Sequence, residues 1–338
     1  MADHTRRSGA DHPPLVSVIV PTYQHAPYIE ACLNGILEQR TDFTVEILVG
    51  EDESTDGTRE ICQRIAAEHP DKVRLFLHSR KDAISIMGRP TGRANMLALM
   101  AAAKGKYAAW CEGDDYWTDP LKLQKQVDHL EQHPGDVLCF HAVGMEHLDG
   151  RITEDRITKV PAEYATQADL ARKGNYIHTP SVVFRNILGT PPPELALSPI
   201  GDFFLWVVLA GHGNLYHMPE VMANYRLGGN WSATSRYHRV MNTVYCHAAL
   251  HAWAKRMGHD ELAAIMLQRI RRAIDEQRMN LQLADLARFG AYALEVRRSA
   301  QQHRRWMIMG KPVLQLKNSA RKVYHRIKAL ARGQQGEP

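Results

Sequence analysis

Two carboxylates stand side by side at Asp114 and Asp115, within CEGDDYWTDP (111–120). Glu112 precedes them, and Tyr116 and Trp117 follow. Adjacent like charges repel unless a cation shares them. By itself the pair is equally a surface turn or a helix N-cap ahead of Pro120. Its flanks favour another use: an apolar run, KYAAWCE (106–112), leads into it, and aromatics rather than turn residues follow. Two carboxylates at a strand end suit a hard divalent cation, Mg2+ or Mn2+, which takes oxygen ligands and shares them with phosphates. A second acidic stretch, GEDESTDG (50–57), follows another apolar run. There Asp56 suits a helix cap. Asp52 has no such duty, and its carboxylate can accept hydrogen bonds from a base N–H or a ribose hydroxyl. Asp202, in IGDFFLW, opens an apolar helix, either as its N-cap or as a base that must reach an acceptor hydroxyl. A helix N-terminus favours the ionised carboxylate, so its pKa is expected to be low.

These groups need a frame. LVSVIV (15–20) is a β-branched run that reads as a fully buried parallel strand, stopped by Pro21. A helix follows from about Pro27 to Gln39, with Ile29, Leu33, Ile36 and Leu37 on one face. TVEILVG (44–50), VRLFLH (73–78), KYAAWCE and DVLCFH (136–141) read as further strands. Helices are expected after Asp56 to about Glu68, over 93–104 and over 120–133. Residues 79–92, with Gly88, Pro90 and Gly92, read as a loop. Strand and helix in alternation predict a doubly wound α/β sheet with right-handed crossovers. Ligands bind such sheets outside the carboxyl ends of the strands. Pro21-Thr22-Tyr23, Glu51-Asp52 and Asp114-Asp115 all fall there. Farther on, YIHTPSVVFR (176–185) reads as a strand, DFFLWVVLAGHG (202–213) as a helix, and NLYHMPEVMANYR (214–226) as one strand followed by another. Residues 237–296 read as helical.

The stretches VSVIVPTYQHAPYIEACLNGILEQ, EILVGEDESTDGT and GRANMLALMAAAKGKYAAWCEGDDYW, in this order and spacing, resemble the family 2 inverting nucleotide-sugar glycosyltransferases over about residues 15–232. The resemblance implies a GT-A fold, a doubly wound, mostly parallel sheet flanked by helices. It implies a glycosyltransferase domain over 15–236, with a nucleotide half (15–118) and an acceptor half (119–236); by composition and pattern a disordered lead-in (1–14) precedes it, and a helical extension (237–296) and a basic amphipathic tail (297–338) follow. It also implies roles. Pro21, Thr22 and Tyr23 match the loop beside the base, and Asp52 the residue that binds it. Arg93 resembles a basic group near base and phosphates. Asp114 matches the carboxylate on the ribose and metal side, Asp115 the direct metal ligand, and Asp202 the catalytic base. The implied cofactor is Mg2+ or Mn2+, and the implied donor a nucleotide diphosphate-sugar. The implied acceptor is a glycan or lipid-linked glycan, in surface polysaccharide assembly. Glu51 and Glu112 depart from the family, which commonly has Asp at both places.

Three features are less decided by sequence. His178 and His217 are candidate metal ligands or acceptor contacts, against a plainer reading as packed or hydrogen-bonded side chains. YRLGGNWSATS (225–235) is either a lid whose Arg226 pairs with the diphosphate, with Trp231 and Ser232 beside it, or a solvent loop. Residues 297–332 hold eleven Lys or Arg and no acid, a charge of +11 that leaves −6 for the rest of a chain of net +5. Interleaved apolar residues make this tail an amphipathic helix with a cationic face, suited either to an anionic membrane surface or to packing on its own domain. No base-reading motif supports a nucleic-acid partner.

The 338 residues allow one large domain or two modest ones. Five dispersed cysteines without a C-x-x-C pair point to a reducing compartment. The chain has no run of about 18 apolar residues and no signal peptide at MADHTRRSGADHPP. A cytoplasmic protein, peripheral at the inner face of the membrane through its tail, is expected. Two rival functions fit the same sheet. A nucleotidyltransferase would carry a Gly-rich N-terminal loop, which PTYQHAPY lacks. A non-catalytic binding domain would not need Asp52, Asp114, Asp115 and Asp202 together.

Overall fold

The computed structural model describes residues 13–155, 164–228, 236–276, 288–292 and 294–296. The lead-in at 1–12, the loop at 229–235 with Trp231 and Ser232, and the basic tail at 297–338 lie outside the described residues. The first half runs β1 (Val16–Thr22), α1 (Ile29–Leu37), β2 (Val45–Glu51), α2 (Thr58–Glu68), β3 (Val73–Leu77), a hairpin of β4 (Ser85–Ile86) and β5 (Arg89–Pro90), α3 (Arg93–Ala102) and β6 (Tyr107–Trp110). Next come β7 (Tyr116–Trp117), α4 (Lys122–Gln132), β8 (Asp136–Glu146), β9 (Ile152–Glu154), β10 (Tyr164–Ala165) and α5 (Gln167–Lys173). The chain closes with β11 (Val183–Arg185), α6 (Gly201–Leu209), β12 (Asn214–Arg226), α7 (Arg236–Met257) and α8 (Asp260–Glu276).

The main sheet has the order β10-β12-β8-β11-β6-β1-β2-β3. Strands β6, β1, β2 and β3 are parallel, as the continuous apolar runs require. β11 lies antiparallel between β6 and β8. β12 returns parallel to β8, so the acceptor half is mixed rather than doubly wound. Side chains alternate between two core layers. Val16, Val18 and Val20 join Ile29, Leu33 and Ile36 of α1, whereas Ile19 joins Leu99 of α3 and Trp206 of α6. Helix α6 is buried along its whole length past Asp202, and Trp206 meets Trp110 of β6 edge-on at 6.1 Å. That contact fixes the start of α6 against the carboxyl end of β6.

Several expected elements differ in extent. Residues 214–226 form one strand with register shifts near Met218 and Val221, where Pro219 has no N–H to donate, rather than two strands. The strand expected at 176–185 shrinks to β11, because Thr179–Ser181 turn as a short 3₁₀ segment around Pro180. The loop at 79–92 contains the β4–β5 hairpin.

Candidate active site

The polar ends of β1, β2 and β6 meet at one edge. Asp52 follows β2, and its backbone N–H donates to the Thr22 carbonyl at 3.1 Å, which joins the two loops. Its carboxylate is nearly enclosed and pairs with Arg80 at 2.5 Å. The Arg80 guanidinium lies over the Tyr23 ring, 4.4 Å from its centroid. Tyr23, Asp52 and Arg80 thus form one connected polar group at the sheet edge. Arg80 was not singled out in the sequence. It sits in an aperiodic stretch, and the only signal was its place three residues past β3, at the same sheet edge. Glu51 has a different task. It is fully buried, accepts from the Ser54 N–H at 2.7 Å and pairs with Arg59, which ties down the loop into α2.

The Asp114-Asp115 turn is held from three sides. The Gly113 N–H extends the β1 pairing by donating to the Pro21 carbonyl at 3.1 Å. A Cβ at Gly113 would lie 2.4 Å from Thr22 Oγ1 and 2.8 Å from His25 Nδ1, so only glycine allows this approach. Asp114 faces His25 at 3.8 Å. Arg226, at the end of β12, donates its N–H to Asp115 Oδ1 and its Nη1 to the Asp114 carbonyl, each at 2.9 Å. Its guanidinium is stacked between Tyr28 and Tyr116 and pairs with Glu146 at 3.2 Å. These partners hold the Arg226 cation against the turn.

Asp115 is the most confined carboxylate of the acidic turn, at 1% exposure. Its Oδ2 is buried and accepts no hydrogen bond among the described residues. Burial, then the Asp114 charge, pushes its pKa well above the usual carboxylate range. A buried, unpartnered carboxylate oxygen beside a second carboxylate lacks a positive charge, and the donor set suits a hard cation.

Asp202 is the second residue of α6. The Asn175 side-chain amide donates to its Oδ2 at 2.7 Å. Contrary to the sequence expectation, its pKa is raised: burial outweighs the opposing Phe203 N–H, Asn175 and Arg93. The helix terminus acts in the expected direction and is overruled by desolvation. Glu112 stands between the two groups. Burial, then Asp114 and Asp202, lifts its pKa to about 8, with Arg93 opposing. Arg93 lies away from Tyr23 and Asp52 in its contacts. It is buried beneath the first turn of α6, donating to the Ser198 carbonyl at 2.8 Å. A Cβ at Gly201 would come within 1.8 Å of its Nη1. Its neighbours are Asp202 and Glu112, because the first turn of α3 points under α6 rather than toward Tyr23. Tyr225 faces the same cluster: after burial, Asp115, Glu112, Asp114 and Asp202 all push its hydroxyl pKa up. His178 pairs with Asp155 at 2.8 Å and packs its ring on Tyr225, and His217 packs on Phe140. Both follow the plainer reading.

Asp52, the acidic turn and Asp202 thus gather at the carboxyl edge of the parallel strands, where α/β sheets bind their ligands. Residues 17–189 match the family model of glycosyl transferase family 2, and the chain belongs to that family. An uncharacterized protein of Mycobacterium tuberculosis is 39% identical over 212 residues, which cover 62% of this chain and 58% of that protein. The chain thus matches little more than half the length of that curated relative. Among solved structures, S. aureus TarS 1–349 in complex with UDP aligns with a TM-score of 0.55 at 18% identity, over 96% of this chain and 93% of that one. A mannosyltransferase from Pyrobaculum calidifontis, in complex with GDP-Man and Mn2+, aligns with a TM-score of 0.50 at 19% identity, over 84% and 81%. These two likenesses show the fold. Among the described residues no helix is long and apolar enough to cross a membrane.

Proposed function

We propose that the chain transfers a sugar, with inversion, from a nucleotide diphosphate-sugar to an acceptor hydroxyl of a glycan or lipid-linked glycan. The supporting observation is the unpartnered, buried Oδ2 of Asp115 beside Asp114, on the same sheet edge as the Tyr23–Asp52–Arg80 group. Pro21, Thr22 and Tyr23 flank the base, with Arg80 stacked on Tyr23, and Asp52 accepts from a base N–H. Asp114 orients the ribose, and Asp114 and Asp115 hold Mg2+ or Mn2+. The bound cation supplies Lewis-acid stabilisation of the leaving diphosphate. Arg226 and Gly113 keep the acidic turn rigid. Asp202, oriented by Asn175, takes the proton of the acceptor hydroxyl while its oxygen attacks the anomeric carbon from the face opposite the nucleotide. The bond from that carbon to the diphosphate oxygen breaks, and its electron pair leaves with the diphosphate. One displacement inverts the centre. The raised pKa of Asp202 brings this base closer to the hydroxyl it must deprotonate. Glu112, protonated at neutral pH, keeps further negative charge away from the diphosphate.

The binding pattern of the two solved relatives, UDP in one and GDP-Man with Mn2+ in the other, supports this donor class. The test is release of nucleoside diphosphate from a panel of UDP-, GDP- and dTDP-sugars, with and without Mn2+. Slow, metal-dependent hydrolysis of one donor is expected. Failure of every donor under every metal condition would overturn the enzyme reading. The domain limits (15–236 for transfer, 297–332 for peripheral membrane contact) belong to the same proposal.

A further inference from the structure

At the opposite end of the sheet lies a second group of metal-ligating side chains. His129, on the last turn of α4, His133, which caps α4, and Asp136, the first residue of β8, each offer one ligand atom, and these atoms lie within 4.8 Å of one another. His129 Nε2 and Asp136 Oδ2 are 2.8 Å apart. His133 Nδ1 lies 2.9 Å from the His129 carbonyl. A carbonyl only accepts, so Nδ1 carries the proton, and Nε2 of a neutral His133 is left with its lone pair. This is how a backbone carbonyl fixes the tautomer of a metal-binding histidine.

The surroundings make the three side chains a built site. His129 and Asp136 are buried, while His133 is exposed and leaves a path for an ion. The His129 ring is stacked between Tyr216 at 3.7 Å and His133 at 4.2 Å. Asn214 donates to Asp136 Oδ1 at 3.3 Å, which turns Oδ2 toward His129. Arg185 donates to the carbonyls of Asp136 at 2.7 Å and His133 at 3.2 Å, so the turn between α4 and β8 is pinned and its cation faces backbone oxygens.

We propose that His129, His133 and Asp136 form a binding site for a borderline divalent ion of the Zn2+ class, separate from the donor site. Two imidazoles and one carboxylate match the ligand preference of Zn2+ and leave a fourth position for water. A hard Mg2+ ion would not choose two imidazoles. The ion replaces the proton shared by His129 and Asp136, and the exposed His133 ring turns out of its stack on His129 to bring Nε2 to it. The bound ion clamps α4 to the starts of β8 and β12. β8 carries the chain from Asp136 to Glu146, about 33 Å at roughly 3.3 Å per residue, and Glu146 is the partner of Arg226 at the other end. The two sites are therefore distinct in place and in ligand chemistry.

The test uses the full chain without an affinity tag, titrated with Co2+ as a spectroscopic probe and then with Zn2+ in competition. The wild type and Asp115→Asn are expected to bind one more equivalent in a tetrahedral visible spectrum than His133→Ala or Asp136→Asn. Zn2+ is expected to raise the unfolding temperature of the wild type and not of His133→Ala. Binding should weaken as pH falls, since protons compete for the ligand nitrogens. His133 is exposed, so its alanine variant keeps the fold even if Asp136→Asn does not. Equal Co2+ stoichiometry and equal Zn2+ response in wild type and His133→Ala would overturn the proposal. Because the readout is metal binding and not turnover, it is independent of whether the chain transfers a sugar.

Discussion

The base side and the reaction side of the cleft treat negative charge in opposite ways. At the end of β2 the two buried acids each have a cation: Asp52 has Arg80, and Glu51 has Arg59. At the ends of β6 and β12 the acids outnumber their partners. Asp115 has an empty oxygen, Glu112 is pushed up to about 8, and Asp202 is raised despite Asn175 and Arg93. The first region has its charges paired, as the proposed binding of a neutral base requires. The second is short of positive charge, which in the proposed reaction a divalent ion would supply. A finished, paired region binds, and an unfinished one does chemistry.

The largest expected effect follows from removing the base. Asp202→Asn should lower transfer to acceptor by roughly 10^3-fold, with donor affinity nearly unchanged; equal loss in donor binding would move Asp202 to the paired side. Next is the Tyr23–Asp52–Arg80 group. Arg80→Met leaves Asp52 buried and alone, and should raise the donor KM about tenfold, about 1.4 kcal/mol, with little change in kcat. A kcat loss without a KM change would contradict the division.

The Glu112 prediction concerns pH. Its folded pKa lies above its unfolded value, so the native state holds a proton that the unfolded chain has lost between about 4.5 and about 8. Stability from this group is therefore present at low pH and declines as pH rises toward 8. Glu112→Gln should flatten that decline, and it should also remove the weakening of donor binding above pH 8 that the new carboxylate charge causes. Thermal unfolding and donor titration at pH 6 and pH 9 measure both. The smallest effect is steric. Gly113→Ala should cost about 1 kcal/mol of stability through its contacts with Thr22 and His25, and should loosen the acidic turn without touching the Tyr23–Asp52–Arg80 group.

The sequence was most legible where function sits at an element boundary. Asp52, Asp114, Asp115 and Asp202 could be found because strand ends and helix starts are marked by abrupt changes from apolar to acidic residues. Arg80 and Asn175 could not, since they come from aperiodic segments and reach their partners only through the folded chain. Arg93 and Arg226 were visible as cations but not as to direction. A long side chain near a sheet edge can turn toward the ligand or beneath a neighbouring helix, and local spacing does not choose. The Asp202 pKa failed for a matter of magnitude: a helix terminus offers about 0.3–1 kcal/mol at the surface, while burial of a carboxylate costs several. The mixed order of the acceptor half was hidden because β11, three residues long, leaves almost no periodic trace.

The central claim is that Asp115 waits for a cation that brings a diphosphate with it. The direct measurement is calorimetric titration of UDP and GDP into wild type and Asp115→Asn, each with Mn2+ and with chelator. The expected result is tight binding of one nucleotide to the wild type with Mn2+, weakened at least tenfold both by chelator and by Asp115→Asn. Nucleotide binding of equal strength in all four conditions would contradict it and leave the empty Asp115 oxygen without a role in donor binding.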